Sequence, residues 1–124
     1  MSKFLTALDV TLLDDTSNSG RGTWRLDAPL AYQSDLAAQV ITVPVGFETD
    51  FASVPRVPIA FLLTADSFHE PAVIHDFLYE TKLLPRAIAD KVLQEACEVE
   101  GVPWWRRTLV YWGVRVGGAS HFGA

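Results

Sequence analysis

The sequence predicts an α+β domain in which a small antiparallel β-sheet from the N-terminal half packs against three α-helices from the C-terminal half. Three observations carry this expectation. Residues 1–45 alternate in polarity and are broken by turn formers, the pattern of short strands. At Pro71 the apolar spacing becomes helical, and from there Pro and Gly recur where helices start and stop. Finally, 124 residues with 49% hydrophobic content suit a single domain, which buries roughly two thirds of its unfolded surface without staples. The one cysteine, Cys97, has no second thiol to pair with in the chain.

In chain order, strands are expected at residues 5–13, 22–26, 30–32 and 40–43. Residues 14–20, with consecutive acids, hydroxyls and a Gly, read as a hairpin loop. Residues 46–70 form a loop rich in motif residues, and residues 119–124 form a tail. Helices are expected over 71–81, 85–100 and 103–116, because proline suits a first turn where its missing N–H is not needed. Gly101 and the pair Gly117-Gly118 supply stops. In the middle helix Ile88, Val92, Ala96 and Val99 form one stripe, widened by Ala89 and Leu93, with Asp90 and Cys97 at its edge. The last helix is apolar almost all round, which implies burial on several sides or contact with another chain.

A net charge of −5 gives no long-range attraction for nucleic acid, and neutral, basic or metal-ion partners are expected. Arg106 and Arg107 beside Trp104 and Trp105 are too short a cluster for a nucleic-acid footprint. No transmembrane segment is expected, since the longest nearly apolar run, residues 57–65, is far below the roughly 20 residues a span needs. Residues 1–10 lack the basic and apolar order of a secretory signal, so a cytoplasmic product is expected.

The sharpest chemical feature is Ala72-Val73-Ile74-His75-Asp76-Phe77-Leu78-Tyr79, where titratable groups interrupt an apolar helix and need partners or a purpose. His75 and Tyr79 share a helix face, while Asp76 projects about 100° away. Asp90 on the next helix and Asp50 in the preceding loop complete a candidate cluster. A carboxylate beside the imidazole would fix its tautomer, and two carboxylates together would bind a hard cation such as calcium. The same residues also fit a buried, satisfied network that fixes the helices. A zinc site ranks lower, because no two of His69, His75 and His121 have the spacing of a zinc-binding helix.

Gly46-Phe-x-Thr49-Asp50-x-Ala52-Ser53-Val54-Pro55-Arg56, His75-Asp76-x-Leu78-Tyr79, Ala89-Asp90 and Tyr111-x-x-Val114-Arg115-x-x-Gly118 together resemble a domain of unknown function encoded by tailed bacteriophages and prophages. That resemblance implies a protein of the host cytoplasm or of the virion. His75-Asp76-x-x-Tyr79 followed by Asp90 is also similar to the catalytic helices of secretory phospholipases of the A-two type, although their disulfide framework is missing here. This second resemblance implies that His75 activates water, that Asp90 and Tyr79 orient it, and that Asp76 and Asp50 ligate calcium. Two functions follow as expectations. One is a calcium-dependent hydrolase acting on an envelope lipid or ester, with Phe51, Ile59, Phe61 and Leu62 as the apolar approach. The other is a virion, tail or assembly component that binds other subunits, including further copies through the Trp-rich last helix.

Overall fold

The computed structural model describes residues 1–14, 23–49 and 69–117. Six strands occupy the N-terminal half: β1 (Lys3–Phe4), β2 (Val10–Asp14), β3 (Thr23–Leu26), β4 (Leu30–Ser34), β5 (Gln39–Val43) and β6 (Glu48–Thr49). Three helices follow: α1 (His69–Thr81), α2 (Arg86–Val99) and α3 (Trp104–Gly117). The α+β expectation is met, with two antiparallel sheets of three strands where one was expected, in the orders β1-β4-β5 and β2-β3-β6.

The split has a local cause. Residues 5–13 do not run as one strand, because the Thr6 hydroxyl accepts the Ala31 N–H at 3.0 Å and donates to the Pro29 carbonyl at 3.1 Å, replacing ladder bonds. The chain leaves the first sheet there and joins the second at Val10. A turn at Pro44–Phe47 ties the two sheets, with Gly46 donating to the Leu26 carbonyl at 2.8 Å and Leu26 donating to Phe47 at 2.9 Å. Gly46 adopts φ +88°, a left-handed conformation that side chains disfavour. The strand β6 was not foreseen; it pairs Trp24 with Thr49 and Arg25 with Glu48. The loop expected over residues 14–20 falls largely outside the described residues.

The inner face of the first sheet presents Leu30, Tyr32, Ile41 and Val43, all fully buried, and the pairs Tyr32–Ile41 and Leu30–Val43 lie directly opposite each other. Helix α1 packs on β5 and β6, and α2 on β4. Glu95 fastens α2 to the sheet: its carboxylate accepts the Tyr32 hydroxyl at 2.9 Å, the Ser34 hydroxyl at 2.7 Å and the Leu36 N–H at 3.0 Å.

Helix α1 begins at His69, two residues before Pro71, which sits in the first turn where N–H groups have no partner within the helix. Pro85 and Pro103 instead precede their helices, and their carbonyls accept the N–H groups of Ala89 and of Arg106 and Arg107. The α2 terminus closes on Gly101 at φ +83°, with Val102 donating to the Cys97 carbonyl at 2.9 Å, the bond pattern of a left-handed C-terminal cap. In α2 the buried residues are Ala89, Asp90, Val92, Leu93, Ala96 and Cys97, whereas Val99 is exposed. The arc is rotated from the expected stripe because α2 lies between α1 and α3 and buries a flank toward each. Among the described residues of α3, Val110 and Val114 are buried whereas Trp104, Trp105, Leu109, Trp112 and Val116 are exposed, so the described structure does not bury this helix on several sides.

Candidate functional site

The consecutive apolar residues of α1 force its whole middle turn inward, and His75 goes with them: Ala72, Val73, Ile74, His75, Leu78 and Tyr79 are all buried. A polar side chain in such a place needs partners. Helix α2 supplies the main one, since Asp90 lies at the border between its α1-facing and α3-facing flanks and is itself fully buried.

His75 Nε2 lies 2.8 Å from Asp90 Oδ1, and the Tyr79 hydroxyl donates to the same oxygen at 2.5 Å. The His75 and Tyr79 rings are neighbours on one helix face, with centroids 4.2 Å apart. The other carboxylate oxygen, Oδ2, accepts Arg115 Nη1 at 3.0 Å and lies 3.9 Å from Arg86 Nε. Arg86 also donates from Nε to the Tyr79 hydroxyl at 3.2 Å and from Nη2 to the carbonyls of Val114 and Arg115 at 2.7 and 2.5 Å. One carboxylate on α2 is therefore gripped by groups from α1 and α3.

These contacts set the charges. Burial is the largest influence on His75 and lowers its pKa from 6.5, and the hydrogen bond and charge of Asp90 do not overcome it. Burial also pushes the Asp90 carboxyl up, but hydrogen bonds from His75, Tyr79 and Arg115 outweigh it and hold the group below 3.8. Burial and the Asp90 charge raise the Tyr79 phenol, which stays a proton donor. At neutral pH the pair is thus a neutral imidazole against a carboxylate. Because Asp90 only accepts, the imidazole proton is assigned to Nε2 and the basic lone pair to Nδ1.

Asp76, on a different face of α1, is half-buried and accepts the Thr49 hydroxyl at 2.5 Å. The structure therefore gathers His75, Tyr79 and Asp90 at one point and joins Asp76 to the end of β6. Asp50, Phe51, Ile59, Phe61, Leu62 and His121 lie outside the described residues. His69 opens α1 instead of preceding it. Among the described residues no three His, Cys, Asp or Glu side chains converge on a common metal position. Asp76 and Thr49 offer two oxygen-bearing side chains, short of the six to eight oxygens of a calcium shell, so the described residues alone do not build that site.

One participant, Arg86, was not singled out from the sequence, and Arg115 was named only within the family motif, with no role at the site. Arg86 stands four residues before Asp90 and Arg115 in the last turn of an apolar helix, and either reads as an ordinary exposed cation until the fold turns it inward. The i, i+4 spacing of Arg86 and Asp90 was the one local signal.

The profile of DUF1353, described as a protein of unknown function, matches residues 24–114. The chain belongs to the DUF1353 family. That span includes His75, Asp76, Tyr79, Arg86 and Asp90, and ends one residue before Arg115. No curated protein and no solved structure matches this DUF1353 chain. No described helix is long and apolar enough to cross a membrane.

Proposed function

We propose that the chain is a small hydrolase of phospholipase-like type in which His75 is the general base, directed at the acyl ester of an envelope lipid. The observation that carries this reading is the 2.8 Å contact between His75 Nε2 and an ionised Asp90. With Nε2 holding the proton, Nδ1 is the basic atom that takes a proton from water as the water attacks the ester carbonyl, and returns it to the leaving alkoxide as the acyl C–O bond breaks to release the fatty acid. The imidazolium formed is stabilised by Asp90, whose two oxygens are held by Tyr79 and Arg115 and so keep the ring in one orientation. Asp76 and Asp50 are the acids offered to calcium, which when bound supplies polarisation of the ester carbonyl.

Purified protein added to mixed micelles of phosphatidylglycerol and phosphatidylethanolamine is expected to release fatty acid with calcium and to lose that release with chelator. His75→Asn is expected to lower the rate at least a hundredfold with the fold retained by circular dichroism. Inactivity of the wild-type chain on both lipids under both conditions overturns the reading.

A second reading is favoured by one observation, the complete burial of both His75 and Asp90. On it the cluster is a fixed scaffold, and the chain is a virion, tail or assembly component of a phage or prophage, made in the host cytoplasm and bound to other subunits. Its presence in purified particles at a symmetric copy number, together with inactivity on esters, supports this reading over the first.

A further inference from the structure

Trp105, Leu109, Trp112 and Val116 recur on α3 at intervals of four, three and four residues, and they are 40%, 60%, 60% and 84% exposed. At 100° per residue they occupy an arc roughly 60° wide, on the side of the helix opposite Val110 and Val114. Helix α3 therefore has two apolar faces. One is used against α2, and the other is spaced as the narrow seam of a coiled coil.

We infer that this seam binds a second copy of the chain, with the two α3 helices antiparallel about a two-fold axis passing between residues 110 and 111. That register places Trp105 against Val116 of the second copy and Leu109 against Trp112, a large residue opposite a smaller one at every layer. A parallel pairing would instead stack Trp105 on itself and Trp112 on itself. Charge agrees with the antiparallel choice. The helix carries Arg106, Arg107 and Arg115 and no acid, and the antiparallel register sets Arg106 against Gly113 and Arg115 against Thr108, so no two cations face each other. Arg106 is also turned onto its own neighbour, 5.0 Å from the Trp105 ring centroid. The four seam residues expose roughly 500 Å², more than half of the ~800 Å² that one side of a standard interface buries. A helix seated in lipid presents a broad apolar arc and a polar opposite face. Here the arc is narrow and the opposite face is core. The inference is independent of any catalytic role for His75.

Sedimentation equilibrium of the full chain at about 100 µM is expected to give twice the 13.7 kDa chain mass. Leu109→Arg, at an exposed position, is expected to weaken self-association at least a hundredfold with an unchanged far-UV spectrum. Orientation is read by cross-linking: Trp105→Cys mixed with Val116→Cys is expected to form a disulfide-linked pair on mild oxidation, whereas Trp105→Cys alone is not, its two thiols lying ~16 Å apart along the axis. A monomer at 100 µM, a dimer insensitive to Leu109→Arg, self-linking of Trp105→Cys, or a monomer that sediments with phosphatidylglycerol vesicles overturns the inference.

Discussion

Asp90 concentrates the energetics of the site in one side chain. Replacing it by Asn removes the charge that Arg115 faces and turns an acceptor-only group into one that also donates, leaving the His75, Tyr79 and Arg115 bonds mismatched. Because Arg115 is partly exposed, the cost should fall at the low end for a broken buried pair, about 3 kcal/mol in urea denaturation. Tyr79→Phe removes one bond to a charged acceptor and should cost about 2 kcal/mol by the same measurement. The pH dependence follows from the sign of each shift. Since His75 is lowered from 6.5 by burial, the unfolded chain binds a proton there before the folded chain does. Stability is therefore expected to fall as pH drops below about 6.5, and His75→Gln should abolish that limb of the melting curve. Asp90, held below 3.8, adds a second loss at lower pH, as protonation proceeds from its unfolded value to its folded one.

At the level of elements, local chemistry decides what the sequence makes legible. The three helices were readable because proline at a start and glycine at φ > 0 act on the residues beside them. The strand expected over 5–13 was not, because a single threonine hydroxyl bonded to Pro29 and Ala31 diverts the chain, and that partnership spans more than twenty residues. The triad His75, Tyr79 and Asp90 was legible as polar groups in apolar helices, whereas Arg86 and Arg115 join it only through tertiary packing. Two predictions belong to this scale. Glu95→Ala strips α2 of its grip on β4 and leaves the buried Tyr32 hydroxyl without that acceptor, which should cost about 3 kcal/mol in urea denaturation. Lys82 follows α1 at φ +54°, a conformation unfavourable for a side chain, and donates its N–H to the Leu78 carbonyl. Lys82→Gly should stabilise the protein by about 1 kcal/mol, seen as a rise in melting temperature of about 4 °C.

Across the whole molecule the described contacts form a ladder: sheet to α1 and α2, then α2 to α3. Among the described residues, α3 is held chiefly by α2, by Val110 and Val114 in the core, and by the Arg115 and Arg86 bonds. It should be the first helix to open, and hydrogen exchange is expected to show faster amide exchange in α3 than in α1 or α2. Arg115→Gln should widen that difference, with the exchange of β4 and β5 unchanged.

Cys97 lies on α2 at the centre of this ladder, fully buried, with its thiol pushed up to about 12 by the surrounding apolar groups. It stays protonated and out of reach of an alkylating reagent while the helices are closed. Being the sole sulfhydryl in the chain, it is a native clock: each modification event timestamps one excursion in which the middle helix comes away from its neighbours.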